Sequence, residues 1–369
     1  MTLKFLSFLY LISIFICNKK DATIIQEKNS DVTFEWVVND VEIPWGMAFL
    51  PDGSFLYTEK RGIIFYYKDG KKTEVGRPPD VYNRGQGGLL DICLHPKFSE
   101  NNFIYLTMAR KPEGENGGNT ALIRAEFDGE KVINYQVLYQ AKPFTTAGHH
   151  FGSRIVFDEN DYVYFTIGDR GERDLNPQNP KSDGGKVYRL HDDGRIPADN
   201  PFSLDNGTRS AVFSFGHRNP QGLTVHPETG EIWEHEHGPK GGDEINIVKK
   251  GNNYGWPVIT YGLEYSGLKI TDQTSKPGME QPLYYWIPSI APSGMTFVNS
   301  DKYPEWKGNL LVGSLVFEYL ERLELKDNKV VKRTKLLENL GRVRNVIQSK
   351  DGYIYVSIEN KGILRIKSF

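Results

Sequence analysis

Two cysteines, Cys17 and Cys93, are all that the 369 residues contain. They could form one bridge at most, so a disulfide framework is excluded and the fold must be held by packing, with or without metal. Charge of one sign is lacking too. The 47 acidic side chains balance 45 basic ones to a formal net charge of −2, which gives no electrostatic reason to bind nucleic acid or an anionic membrane surface. Long hydrophobic runs are missing except at the start. There Lys4 is followed by an apolar stretch at residues 5–16 and then by Cys17. That stretch is too short to span a bilayer and fits the apolar region of a signal peptide. No segment reads as an amphipathic helix of ten or more residues, and the commonest catalytic signatures are absent. HExxH, the P-loop, the Rossmann glycine pattern and G-x-S-x-G do not occur, which removes the usual metalloprotease, nucleotide-binding and esterase readings.

The N-terminus therefore predicts export, to the periplasm. Cys17 stands where a lipoprotein signal places its acylated cysteine, whereas Ile16 departs from the small residue usual before such a site. A lipid anchor at Cys17 and a cleaved signal with an incidental cysteine are both compatible with these residues. Apart from that anchor, nothing predicts a membrane partner. The expected layout is a signal at residues 1–17, a polar flexible lead at 18–31 and one domain at 32–369.

What is plentiful is Gly (37), Tyr (20) and Phe (20), a composition suited to many short strands joined by turns. A loose unit recurs: an apolar strand, a turn of the Pro-Asp-Gly kind, then a second strand. It reads GMAFLPDGSFLYTEK at 46–60 and returns at 89–109, 155–169, 222–238, 295–315 and 346–366. Alternating apolar residues make half-buried strands, and the turn lets the second pair back on the first. Repetition of one such unit around a ring buries every face, which predicts an all-β fold, a six-bladed β-propeller. A seven- or eight-bladed ring is the alternative. The strand at 33–38 is expected to join the C-terminal blade and close the ring. Long Gly/Pro/Asn/Asp-rich insertions at 110–120, 171–183, 195–209 and 262–287 read as loops, expected to gather at one mouth of the central channel.

The polar signals cluster in short Gly-rich segments: GQGGLLD (85–91), GHHFGSR (148–154), IGDRG (167–171), GHRNPQGL (216–223), HEHGPKGGDEIN (235–246), NNYGWP (252–257) and GRVRN (341–345). Glycine there allows backbone to approach a ligand closely. Arg342 and Arg344, two apart on a strand, point to one face, as a clamp for a carboxylate requires.

In order and wording these segments resemble the soluble PQQ-dependent aldose sugar dehydrogenases, relatives of soluble quinoprotein glucose dehydrogenase, over most of the chain from Pro44 to Ile366. The resemblance implies a pyrroloquinoline quinone (PQQ) cofactor with calcium, and oxidation of an aldose at its anomeric carbon to a lactone. It makes His150 the general base, Asp169 the acceptor that fixes its tautomer, and Arg218 the cation beside the reacting quinone carbonyl. It places Gln86, Asn219, Tyr265, Arg342 and Arg344, with Arg218, around PQQ. Calcium would be held by the carbonyls of Gly238 and Pro239, and a second calcium by Glu244 with the carbonyl of Tyr254. Electrons would pass to an acceptor that the sequence does not name, a cytochrome or a quinone. Two departures stand out. His149 replaces an aspartate of glucose dehydrogenase, and Val316, Phe317 and Glu318 follow Ser314-Leu315 where relatives carry a basic residue. A propeller lactonase or other hydrolase, and a propeller that only binds glycans or proteins, are the alternatives.

Overall fold

The computed structural model describes residues 25–28 and 32–368. The signal at 1–17, with Cys17, lies outside the described residues. Six sheets of at least four strands each follow one another along the chain. Blade 1 comprises Pro44–Phe49, Phe55–Glu59, Ile63–Lys68 and Lys71–Gly76. Blade 2 begins at Leu89–Leu94, blade 3 at Ile155–Phe157, blade 4 at Pro220–Val225, blade 5 at Pro292–Phe297 and blade 6 at Val343–Gln348. Within each blade the strands are antiparallel neighbours in sequence order, so the six recurring units are the first two strands of the six blades. The Pro51-Asp52-Gly53 turn shows the local cause. Gly53 takes φ +84, the Ser54 N–H donates to Asp52 Oδ1 at 3.0 Å, and the chain reverses.

Ring closure follows the expected scheme. Phe34–Asn39 pairs antiparallel with Gly362–Ile366, setting Phe34 opposite Ile366 and completing blade 6 from the N-terminal side. The lead is not uniform, since Ile25–Lys28 runs parallel to Lys329–Leu336 and widens blade 5 to five strands. Among the described residues no helix is long and apolar enough to cross a membrane.

The core is divided in the same way as the ring. Among the described residues, six of the seven buried apolar clusters sit at the six blade junctions, and the seventh gathers Trp45, Leu90, Ala109 and Phe151. Leu56 and Ile64 meet Leu106 and Ile123 between blades 1 and 2, and Phe55 and Tyr57 meet Tyr355 and Ile363 between blades 1 and 6. Each fully buried Leu, Ile or Phe contributes about 1.5–3 kcal/mol. Polar contacts fill the axis instead. The buried Arg154 donates to the carbonyls of Gln221 (2.8 Å), Trp45 (3.3 Å) and Arg344 (2.9 Å) and to Asp91 Oδ1 (3.2 Å), which ties blades 4, 1, 6 and 2 together at one guanidinium.

Strand parity decides which segments share a face. Connections from second to third strands, and from blade to blade, lie at one mouth; the other turns lie at the opposite one. The loop at 195–209 joins the third and fourth strands of blade 3, Lys186–Leu190 and Val212–Phe215, so it sits opposite the site, contrary to the expectation for it. The connection at 249–283 leaves blade 4 at that opposite side but pairs Asn253 with Phe215 and Leu263 with Lys240, and so reaches the site face.

Candidate functional site

Residues 141–154, between blades 2 and 3, carry the two adjacent histidines. Gly168 lets this segment pass close, because a Cβ there would stand 2.4 Å from the His150 carbonyl oxygen. His150 adopts a left-handed φ of +55, and its N–H donates to Gln86 Oε1 at 2.8 Å. Its Nδ1 lies 2.6 Å from Asp169 Oδ1. The same carboxylate accepts from the Gly171 N–H at 2.8 Å and from the Trp256 indole N–H at 2.9 Å. Burial works against ionising Asp169, yet the hydrogen bonds from His150 and Gly171 outweigh it and hold its pKa below the ordinary value. Ionised Asp169 keeps the proton of neutral His150 on Nδ1, which leaves the Nε2 lone pair free to accept one. Burial lowers the His150 pKa below 6.5, against the pull of Asp169, so the imidazole is a neutral base at neutral pH. His149 packs edge-on against His150, with ring centroids 4.6 Å apart.

Arg218 sits behind this pair. Its backbone carbonyl accepts from the Asp169 N–H at 2.7 Å, and its guanidinium donates to the carbonyls of His237 (3.0 Å) and Gly238 (3.1 Å). Asn219 is buried and turned the other way: its Oδ1 accepts from the Gly152 N–H at 3.1 Å. It supports the histidine loop, a role that the expected cofactor contact did not include. The Gly238 turn is held from below by Asp243, which also accepts from Ser289, Ile290 and Ala291.

Beside Gly238 lies a nest of acids that the sequence reading took only in part. Glu234, Glu236 and Glu244 surround one another, with His217 Nδ1 at 3.3 Å from Glu236 and 3.5 Å from Glu234. Burial and mutual repulsion raise the pKa of Glu234 and Glu244. The two glutamates at His217 overcome its burial and raise its pKa to about 9. Glu234 Oε2 and Asn246 Oδ1 are buried without a hydrogen-bond donor. A cavity of about 10 Å³ opens among Arg218, Glu236, Gly238, Glu244, Tyr254 and Trp256, space for one water-sized particle. The Glu236 and Glu244 carboxyls in its lining are oxygen donors of the kind a hard cation takes.

The two expected clamp residues share a face, as their spacing predicts, and Glu359 is what they meet. Arg342 Nε and Arg344 Nε each donate to its carboxylate at 2.8 Å. The Arg344 side chain is 12% exposed and that of Arg342 44%. Tyr265 stands 72% exposed at the rim, and Val316 and Phe317 are exposed there too.

Comparison with known proteins decides the family. The model of the glucose/sorbosone dehydrogenase family matches residues 41–365. The chain belongs to this family. Aldose sugar dehydrogenase YliI of Escherichia coli is 39% identical over 332 residues, 88% of this chain and 89% of that protein. Quinoprotein glucose dehydrogenase B of Acinetobacter calcoaceticus is 28% identical over 309 residues, 76% of this chain and 63% of its own. The PQQ-bound structure of aldose sugar dehydrogenase from Streptomyces coelicolor superposes with a TM-score of 0.75 at 27% identity, covering 92% of this chain and 99% of that one. This member of the family is accordingly a sugar dehydrogenase, an oxidoreductase, and neither a hydrolase nor a binding-only propeller is retained.

Proposed function

We propose that the chain oxidises an aldose at its anomeric carbon to a lactone, using PQQ and calcium. The single observation that carries this reading is the buried His150–Asp169 pair at 2.6 Å on the face where the cationic residues Arg218, Arg342 and Arg344 gather. The residues fit both groups. Two arginines on one face match a polycarboxylate cofactor, and the acid-lined cavity beside Gly238 matches calcium. Gly238 and Pro239 would offer carbonyl oxygens to the ion at the cofactor, while Glu244 and the Tyr254 carbonyl would hold a second ion. Gln86, Asn219 and Tyr265 complete the proposed surround of PQQ.

When bound, PQQ supplies the two-electron acceptor and the calcium beside it a Lewis acid. The chain supplies the rest. Nε2 of His150 takes the proton of the anomeric hydroxyl while the anomeric carbon gives up its hydrogen with the bonding pair, and the carbon–oxygen double bond of the lactone forms. Asp169 holds the imidazole in the tautomer this needs and stabilises the imidazolium that results. Arg218 keeps a positive charge beside the Gly238 turn, where it would stabilise negative charge developing on the bound cofactor. A cytochrome or a quinone would serve as the final electron acceptor. Export to the periplasm belongs to the same proposal and rests on residues 1–17, which fit a signal with or without lipid attachment at Cys17. Titrating the purified chain with PQQ, followed by absorbance with and without a calcium chelator, tests the cofactor assignment. Stoichiometric binding only with calcium supports it; equal binding in both conditions removes calcium from the cofactor site.

A further inference from the structure

Next to Asp169 in the chain is a second buried ion that the proposed chemistry does not use. Arg170 is 2% exposed, its guanidinium carbon lies 3.5 Å from the Phe151 ring centroid, and no carboxylate forms an ion pair with it among the described residues. Its donors go to backbone and hydroxyl oxygens instead. They reach the carbonyls of His149 and Ala147, the latter at 2.5 Å, the Gly118 carbonyl at 3.5 Å and the Thr145 hydroxyl at 3.4 Å. Three of those four groups belong to residues 145–149, the segment that delivers His150. Gly118 is itself laced to Thr145 by backbone bonds in both directions.

We infer that Arg170 is a positioning residue for the base: Asp169 holds the imidazole ring, and Arg170 holds the backbone that presents it. The inference rests on the reading of His150 as the base. The physical argument is one of conformational restraint. Residues 145–149 form no strand, and His150 and Arg170 both sit at left-handed φ values, +55 and +59, which persist only where surrounding contacts over-determine them. A planar guanidinium carries five donors in a rigid fork, whereas an ammonium carries three on a flexible stem. Burial lowers the Arg170 pKa to about 10, still above neutrality, so the charge persists while the carbonyls take the place of water. Without it the loop gains freedom, and a displacement of the base by about 1 Å is enough to cost roughly 100-fold in rate.

The test compares Arg170→Gln and Arg170→Lys with the parent chain by two readouts. One is the imidazole Nδ1–H resonance of His150 in the cofactor-free protein, assigned by its loss in His150→Ala. The other is steady-state oxidation of an aldose by PQQ- and calcium-loaded protein. Arg170→Gln is expected to broaden or lose the resonance while folded, and to lower kcat about 10- to 100-fold with sugar KM within about twofold. Arg170→Lys is expected to show the same change in smaller measure. A folded Arg170→Gln that keeps both the resonance and kcat overturns the inference, and so does one that loses kcat with the resonance intact. If Arg170→Gln does not fold, Arg170→Lys is judged by the same two readouts. A fully active His150→Ala would instead defeat the reading of His150 as base, and the resonance would still report whether Arg170 orders the loop.

Discussion

The indole N–H of Trp256 donates to Oδ2 of Asp169 at 2.9 Å, across 87 positions of sequence. The carboxylate that orients His150 is thus held from both sides: the imidazole on one oxygen, the indole of the NYGWP segment on the other. Trp256→Phe keeps the ring and removes that donor. A hydrogen bond to a charged group is worth about 1.5–3 kcal/mol, so kcat should fall about 10-fold with little change in sugar KM. Steady-state kinetics on cofactor-saturated protein checks this, and an unchanged kcat would show that the Gly171 N–H is anchor enough for Asp169.

Arg342 and Arg344 share Glu359 unequally, and their variants should differ accordingly. Removing the more buried Arg344 leaves the Glu359 carboxylate with only the more exposed Arg342, so Arg344→Ala should lower the melting temperature more than Arg342→Ala. Both should weaken PQQ binding by about 10- to 100-fold through lost charge-assisted bonds. Calorimetric titration and thermal melts measure the two effects; unchanged PQQ affinity in both variants would sink the clamp.

Calcium bound at the nest of Glu234, Glu236 and Glu244, as proposed, would be a matter of stability as well as catalysis. Glu234 and Glu244 have raised pKa values, so their contribution is present below the ordinary carboxylate value and is lost as pH rises through the raised ones. His217 acts in the same direction, its contribution being lost as pH rises through about 9. A bound cation offsets the repulsion that appears when the carboxylates ionise. Melting temperatures with calcium and with chelator should therefore diverge as pH increases, and Glu244→Gln should shrink the gap. A gap that stays constant with pH would argue against an ion in this nest.

Because burial lowers the His150 pKa from its ordinary value, the proposed base stays mostly neutral at pH 6.5 and becomes protonated only as pH falls further. The acid limb of the sugar-oxidation profile should fall below pH 6.5, with activity rising towards neutrality. Asp169→Asn should reduce kcat by a smaller factor than His150→Ala, since the imidazole stays while its tautomer is no longer held. A limb well above pH 6.5 would assign the titration to another group.

The propeller was legible because each blade repeats a period of two and a Pro-Asp-Gly type of turn, and because a strand at 33–38 had no other partner to complete. The His150–Asp169 pair was legible through the wording of its segments. Less visible was everything set by strand parity or by long contacts. Insertion length alone could not tell that 195–209 emerges at the opposite mouth, since only the count of preceding strands decides it. Glu359 follows an ordinary strand with nothing around it to mark a partner for two arginines. Glu234 and Glu236 alternate with histidines, a pattern that equally describes one polar face of a strand. Asn219 sits in the expected motif, yet the turn before Pro220 aims its side chain at Gly152.

The most direct test of the account is turnover itself. The purified chain is saturated with PQQ and calcium, and dye reduction is followed across a panel of aldoses for the parent protein and for His150→Ala with equal cofactor loading. The account predicts aldose-dependent dye reduction that requires both PQQ and calcium and that drops by roughly 100- to 10,000-fold in His150→Ala. Loaded parent protein that reduces no dye with any aldose, or a loaded His150→Ala that matches it, would contradict the account.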